Sequence, residues 1–372
     1  MNADTIRVIL AGGGTGGHIF PAIAIAGAIR RLSPQSEILF VGARNKMEMD
    51  MVPIAGYEIK GLDISGIIRG PFWKNLSLPW KILKSLINAR EILRNFRPNV
   101  VIGTGGYASF PMLYMAERSH IPVLIQEQNS LAGKANKFLG KKAARICVAY
   151  EGMERFFPAD KLIITGNPVR SLLTKSVPDR ENASSAFGLD SQLKTLLVIG
   201  GSQGANSINK TIGSHLHDFM EAGVQLIWQT GKNYFGEATQ SASGWEKNIK
   251  VFEFISQMDH AYQAADIVIS RAGALTISEL CIVGKPTILV PYPFAAEDHQ
   301  NHNALALVKK DAALMVRDNE VPSELVNKIF LLLHNDKMRE ILASNLSGFG
   351  RPDADTGIAK EVFKLFSNKT VG

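Results

Sequence analysis

The chain has only two cysteines, Cys147 and Cys281, in 372 residues. Two thiols this far apart supply neither a disulfide framework nor a zinc site, and they fit a reducing compartment. Long apolar runs are also lacking. Val8 to Ile29 carries no Lys, Arg, Asp or Glu, but its middle reads Gly12-Gly13-Gly14-Thr15-Gly16-Gly17-His18. The apolar run before that, Val8 to Ala11, is too short for a signal-peptide core. No other segment reaches the about 18 apolar residues that a membrane span needs. A cytoplasmic protein without a spanning helix is expected. Metal signatures are poor too. Asp353-Ala354-Asp355 has the Asp-x-Asp form, but it follows Arg351-Pro352 near the C-terminus and reads as a structural or chance match. No metal and no cofactor are expected.

What is present is an ordinary globular composition. Hydrophobic residues make up 46% and charged residues 20%, which excludes a disordered or fibrous chain. The length suggests two domains. The formal net charge of +7 fits an anionic ligand or membrane surface. Zinc-finger, RNP and homeodomain signatures are missing, so no nucleic acid is expected among the partners.

Short β-branched runs alternate with helical patterns. Strands are expected at 6–11, 38–41, 100–103, 122–126 and 145–149, with a further strand-like stretch at 162–165. A second series runs through 196–200, 225–229, 250–254, 267–270, 287–290 and 313–316. Helical stretches such as 21–32, 82–95 and 301–310 lie between them. This alternation predicts βαβ units and parallel sheets, hence an α/β chain with two doubly wound domains facing a cleft. The division is expected near Gly166-Asn167-Pro168: residues 1–166, then 167–349, then a tail with a helical pattern over 350–372.

Three glycine-rich loops follow strands in this reading. They are Gly12 to Gly17, Gly103-Thr104-Gly105-Gly106-Tyr107 and Gly200-Gly201-Ser202-Gln203-Gly204. The first formally matches a dinucleotide fingerprint, but the second strand ends Phe40-Val41-Gly42-Ala43-Arg44 without the acidic residue that would hold a ribose. A phosphate-binding P-loop fails as well, since His18-Ile19 stands where Lys-Ser/Thr is needed. The physical point survives: clustered glycines let backbone N–H groups approach a diphosphate at a helix N-terminus.

These loops, with Gln126-Glu127-Gln128-Asn129, Gly166-Asn167-Pro168-Val169-Arg170, Ser270 to Glu279 and Asp298-His299-Gln300, carry a resemblance. In order and spacing, and over nearly the whole length, the chain resembles the MurG family of N-acetylglucosaminyltransferases of peptidoglycan synthesis. The resemblance implies a GT-B fold of two Rossmann-like domains, the first facing the acceptor and the membrane, the second holding the UDP-sugar donor. It implies inverting transfer of N-acetylglucosamine from UDP-N-acetylglucosamine to the C4 hydroxyl of the muramoyl sugar of lipid I, giving lipid II and UDP. It also implies peripheral attachment to the cytoplasmic face of the inner membrane. Partners among cell-division or cell-wall synthesis proteins, and roles in cell shape and the cell cycle, come with it. Two rival enzymes share this frame: a UDP-N-acetylglucosamine 2-epimerase and another lipid-directed UDP-glycosyltransferase.

His18 is the candidate base, at a glycine-loop tip where a helix starts; the alternative is a histidine that only orients a sugar or phosphate. Gly13, Gly14, Gly105, Gly106 and Tyr107 are candidates for the acceptor-diphosphate loops. For the donor the resemblance carries over Thr15, Gly16, Gly17, Asn129, Arg170 and Ile255, with Gln300 on sugar hydroxyls. Ser202 can donate from its loop, and the stretch Ala274, Leu275, Thr276, Ile277, Ser278 and Glu279 opens a helix whose N–H groups can face the diphosphate. In the family the residue matching Glu279 accepts from both ribose hydroxyls. Phe72, Trp73 and Trp80 are expected to touch an anionic membrane surface, while Ile82, Leu83 and Leu86 are expected to face the core. From Lys60 to Arg97 there are eight basic and two acidic residues, and Lys134, Lys137, Lys141, Lys142 and Arg145 form a second, acid-free basic stretch.

Overall fold

The computed structural model of the chain describes residues 5–64, 78–169, 178–201 and 203–370. Phe72, Trp73, Arg170 and Ser202 lie outside the described residues. Contacts divide the chain into two units: Met1–Val169 with Pro352–Gly372, and Arg170–Arg351. The sequence reading draws its lines at 166 and 350, a few residues from these.

The first unit holds β1 (Arg7–Gly12), β2 (Glu37–Ala43), β3 (Glu58–Leu62), β4 (Val100–Gly105), β5 (Val123–Glu127), β6 (Arg145–Val148) and β7 (Leu162–Ile164). They form one sheet in the order β3-β2-β1-β4-β5-β6-β7, paired parallel throughout. The second unit holds β8 (Thr195–Ile199), β9 (Gln225–Gln229), β10 (Ile249–Phe252), β11 (Ile267–Ser270), β12 (Thr287–Leu289) and β13 (Leu314–Met315). Its order is β10-β9-β8-β11-β12-β13, again parallel. Each sheet has a reversal of strand order, between β1 and β4 and between β8 and β11. A crevice opens at the carboxyl ends of such strands, which is where open α/β sheets bind ligands.

Strand alternation builds a core on each side of each sheet. In β1, Val8 and Leu10 pack with Ile25 and Ile29 of the helix Gly16–Leu32, while Ile9 and Ala11 pack on the other face with Met112 and Leu113. In β8, Leu196 and Val198 face Ile208, Trp228 and Ile329; Leu197 and Ile199 face Tyr262, Ile277 and Leu280. Strands covered on both faces read as continuous apolar runs, which is why most were visible in the sequence. β3 was not: Glu58-Ile59-Lys60-Gly61-Leu62 is an edge strand whose charged residues remain partly in water.

The C-terminal helix Ala354–Thr370 joins the first unit, although it follows the second sheet in the chain. Ile358, Ala359 and Val362 are fully buried in the core that contains Ile25 and Ile29. Arg31 pairs with Asp355 at 2.6 Å. The Asp355 carboxylate of the Asp-x-Asp pattern is thus committed to a helix–helix ion pair and to Thr356 N–H at 2.6 Å.

Candidate active site

In the first unit the two glycine loops leave the adjacent strands β1 and β4 and interlock. The β1–β4 register shifts at Gly12, which pairs with Gly105. A Cβ on Gly106, at φ +80°, would stand 2.2 Å from the Gly13 carbonyl oxygen. A Cβ on Gly105, at φ +99°, would stand 2.9 Å from His18 Cδ2. Only glycine allows this backbone approach. Tyr107 closes the cluster against Gly14, and its hydroxyl pKa is raised by burial and then by the charge of Glu48.

His18 stands in the first turn of a helix rather than at a loop tip. The helix starts at Gly16, not at Pro21 as the apolar periodicity suggests, because two glycines hide its opening turn. Thr15 is the N-cap in extended conformation, with no side-chain cap and no acidic residue in the first turn. The Gly16 and Gly17 N–H groups therefore stand at a positive helix end without a carboxylate on it, a setting for anions. His18 Nδ1 lies 3.1 Å from the Gly13 carbonyl and 3.3 Å from Thr15 Oγ1. A carbonyl only accepts, so Nδ1 carries the ring proton and Nε2 is the proton acceptor of the neutral ring.

Two buried carboxylates support these loops, and the sequence reading assigned a role to neither. Glu48, fully buried, accepts from Gly14 N–H at 3.1 Å and from Ala43 N–H at 2.9 Å. Glu127, 2% exposed, accepts from the backbone N–H and side-chain amide of Asn129, from Gly133 N–H and from Asn136 Nδ2. Asn129 is held in place by that carboxylate. Gln128 Nε2 donates to the Thr104 carbonyl at 2.6 Å, tying the loop after β5 to the end of β4. Glu127 lies in the motif Gln126 to Asn129 without a role read for it, whereas Glu48 sits between two methionines with no sequence signal, and only burial reveals its work.

In the second unit the loop after β8 packs on the loop after β9. A Cβ on Gly204, at φ +77°, would lie 2.1 Å from the Thr230 carbonyl oxygen. That carbonyl accepts from Asn209 Nδ2 at 2.8 Å, and Trp228 Nε1 donates to Asn209 Oδ1 at 3.0 Å. After β11 the helix Ala274–Val283 begins at Gly273 with no side-chain cap and no acidic residue in its first turn. Ala274, Leu275 and Thr276 are partly open there. Ile277 is not: its side chain is in the core and its N–H donates to the Gly273 carbonyl. Ser278 Oγ donates back to the Ala274 carbonyl at 2.9 Å. Glu279 is 7% exposed rather than solvated, and it accepts from Tyr262 OH at 3.0 Å. Ile255 is buried and its N–H donates to Gln229 Oε1 at 2.9 Å. Gln300 Oε1 accepts from Tyr292 N–H at 2.9 Å, which turns its amide nitrogen into the donor end.

Other features are structural. The Cys147 and Cys281 thiols are buried, and burial pushes each pKa up to about 12, which suits packing rather than nucleophilic attack. Among the described residues, His217, Asp218 and Glu221 bring potential metal ligands within 4.8 Å of one another, all exposed; His217 and Glu221 form an i,i+4 surface pair. On the helix Leu78–Phe96, Trp80 is 72% exposed. Leu83, expected in the core, is 50% exposed, and Ile87 is 60% exposed. The spacing 80, 83, 87 puts these three on one helix face, while Ser85 and Ala89 turn inward. Ile82 and Leu86 are half-buried.

Comparison with known proteins fits this arrangement. The glycosyltransferase family 28 N-terminal domain matches residues 8–148, and the family 28 C-terminal domain matches residues 195–356. A protein of Parabacteroides distasonis named UDP-N-acetylglucosamine–N-acetylmuramyl-(pentapeptide) pyrophosphoryl-undecaprenol N-acetylglucosamine transferase is 50% identical over 365 residues, 98% of this chain and 99% of that one. A Bacteroides fragilis protein of the same name is 52% identical over 97% of this chain and 96% of its own length. This chain belongs to the MurG family. The crystal structure of Acinetobacter baumannii MurG superimposes with a TM-score of 0.78 at 28% identity, covering 96% of this chain and 99% of that one. A UDP-GlcNAc 2-epimerase from Neisseria meningitidis reaches a TM-score of 0.66 at 16% identity, with 96% of this chain and all of that one covered, a likeness of fold alone. As a MurG family member the chain is a glycosyltransferase with two Rossmann-like GT-B domains.

Proposed function

We infer the reaction and its division of labour together. The protein transfers N-acetylglucosamine from UDP-N-acetylglucosamine to the C4 hydroxyl of the muramoyl sugar of lipid I, with inversion, and releases UDP and lipid II. Relatives of that name at about half identity over nearly the full length support the reaction. The observation that carries the chemistry is the His18 ring, with Nδ1 on the Gly13 carbonyl and Nε2 as proton acceptor.

In this reading the acceptor O4 forms its bond to C1 of the donor sugar as its proton passes to His18 Nε2. The C1–oxygen bond to the diphosphate breaks, and UDP leaves with the electron pair. The uncapped helix start at Ala274, Leu275 and Thr276 meets the charge that grows on the diphosphate. Glu279 takes the ribose hydroxyls, the Ile255 carbonyl the base, and the Gln300 amide the sugar hydroxyls. Ser202 and Arg170 complete the donor site, and Gly105, Gly106 and Tyr107 serve the acceptor diphosphate. Thr15, Gly16, Gly17 and Asn129 are the first unit's candidates for donor binding.

The acceptor is lipid-borne, so the enzyme works at the cytoplasmic face of the inner membrane as a peripheral protein. Among the described residues no helix is long and apolar enough to cross a bilayer. The exposed face of Trp80, Leu83 and Ile87 beside Lys81 and Lys84 supports docking to an anionic surface, and the sequence adds Phe72 and Trp73 as further membrane contacts. Division or cell-wall synthesis proteins are its expected neighbours there.

Incubation with labelled UDP-N-acetylglucosamine and a lipid I analogue tests the reaction. Free UDP with a new β-linked disaccharide lipid is expected. Recovery of an epimerised sugar nucleotide, with no glycosidic bond formed, would overturn it.

A further inference from the structure

The peptide unit joining Gly13 to Gly14 is engaged at both ends. Its carbonyl lies 3.1 Å from His18 Nδ1. Its N–H lies 3.1 Å from each carboxylate oxygen of Glu48. Glu48 is fully buried and accepts a further N–H from Ala43 at 2.9 Å. Room for it is made by two glycines: a Cβ on Gly13 would stand 2.1 Å from Glu48 Oε1, and one on Gly42 would stand 2.5 Å from Glu48 Cγ. A buried carboxylate costs several kcal/mol to desolvate, so its hydrogen bonds must do more than fill space.

We propose that Glu48 is a positioning residue for the transfer, orienting His18 and raising its basicity through the intervening Gly13–Gly14 peptide. The proposal rests on the reading of His18 as the base.

The physical route is short. Both carboxylate oxygens accept N–H bonds, as an ionised carboxylate does. A negative charge on the amide N–H shifts electron density toward the carbonyl oxygen and strengthens it as an acceptor. A stronger acceptor at Nδ1–H favours the imidazolium. The helix that starts at Gly16 acts in the opposite sense, because its positive end disfavours a charged histidine. Glu48 offsets that penalty without touching the ring. Tyr107 is the titratable side chain facing Glu48 in the glycine-loop cluster; burial and then the Glu48 charge raise its pKa, so it stays a neutral phenol and adds no second negative charge beside the carboxylate. The interlocked Gly105 and Gly106 hold the Gly13 carbonyl and the ring in register.

The full-length enzyme with Glu48→Gln, assayed on a water-soluble lipid I analogue, tests this. The amide keeps the size and one acceptor oxygen but removes the charge. With an intervening peptide weakening the coupling, kcat should fall about three- to ten-fold, and the acid limb of its pH profile should move down by about half to one pH unit. KM for UDP-N-acetylglucosamine should stay within about two-fold. The His18 NMR titration, assigned by its loss in His18→Ala, should shift down by the same amount. A His18 shift with unchanged kcat would uphold the coupling and sink the base role instead. An unmoved His18 titration in folded Glu48→Gln overturns the proposal, whatever happens to kcat. If that variant does not fold, the unmodified enzyme decides: ¹⁵N shifts of the neutral ring must place the proton on Nδ1, and an Nε2–H ring overturns the proposal.

Discussion

The two units share a strand pattern but hold their glycine loops by different chemistry. Behind the first unit's loops stand two buried carboxylates, Glu48 and Glu127, each accepting backbone N–H groups. In the second unit neutral groups hold the loops after β9 and β10, Asn209 on the Thr230 carbonyl and Gln229 on the Ile255 N–H, while the loop after β11 is tied by the ion pair of Arg271 with Asp318. The one carboxylate placed as a ligand group there, Glu279, sits within the helix and is anchored by Tyr262. On the proposed division of labour, the first unit's carboxylates stand behind a base, which gains strength from a negative charge, whereas the second unit's Arg271–Asp318 pair brings no net charge toward a departing diphosphate.

The sharpest way to break this contrast is His18→Ala. It should cost about 10²–10⁴ in kcat, the range of a lost general base, with UDP-N-acetylglucosamine affinity nearly unchanged in a calorimetric titration. Normal turnover in a folded variant would remove the first unit from the chemistry. Next in size is Glu279→Ala. Each hydrogen bond lost to a charged partner is worth roughly 1.5–3 kcal/mol, so donor KM should rise at least about ten-fold, and the preference for ribose over 2′-deoxyribose nucleotides should shrink. If both stay as they were, this carboxylate does not hold the ribose.

A matched pair sharpens the contrast further. Gly106→Ala and Gly204→Ala each force a Cβ against a backbone carbonyl at positive φ, and each should destabilise its unit by about 1–3 kcal/mol in thermal unfolding. Gly106→Ala should lower kcat, while Gly204→Ala should raise donor KM. The same kinetic defect in both would show that the loops do not divide the labour. The smallest effect is expected at the surface. Trp80, Leu83 and Ile87 replaced together by Ser should lower binding to anionic vesicles and activity on membrane-borne acceptor a few-fold, in a salt-dependent way. Activity on a water-soluble acceptor should hold; a loss on both acceptors alike would reject this face as the docking surface.

Much of this protein is legible in its sequence. Apolar runs buried on both faces declare β1, β4, β8 and β11, and glycines that tolerate no side chain mark where β1, β4 and β8 end. Their order was enough for the family, and with it the reaction. Misreadings fell where local signals are weak. β3 carries charges because it lies at an edge, and the opening turn of the helix at Gly16 is written in glycine. Leu83 looked like a core residue, since hydrophobicity alone does not say which face of a helix is covered.

What the sequence determined by itself was the set of local conformations: which runs must be covered on both faces, and where the backbone needs glycine. These follow from side-chain size, polarity and backbone freedom, all properties of neighbours in the chain. What only the tertiary structure decided was partnership across distance. Glu48 meets the Gly14 N–H, Tyr262 meets Glu279, and Asp355 meets Arg31 because parallel strand order and helix packing bring them together. A carboxylate in sequence is a charge in water; burial and the donors around it turn it into the support of a loop, the partner of a buried tyrosine or a helix tie.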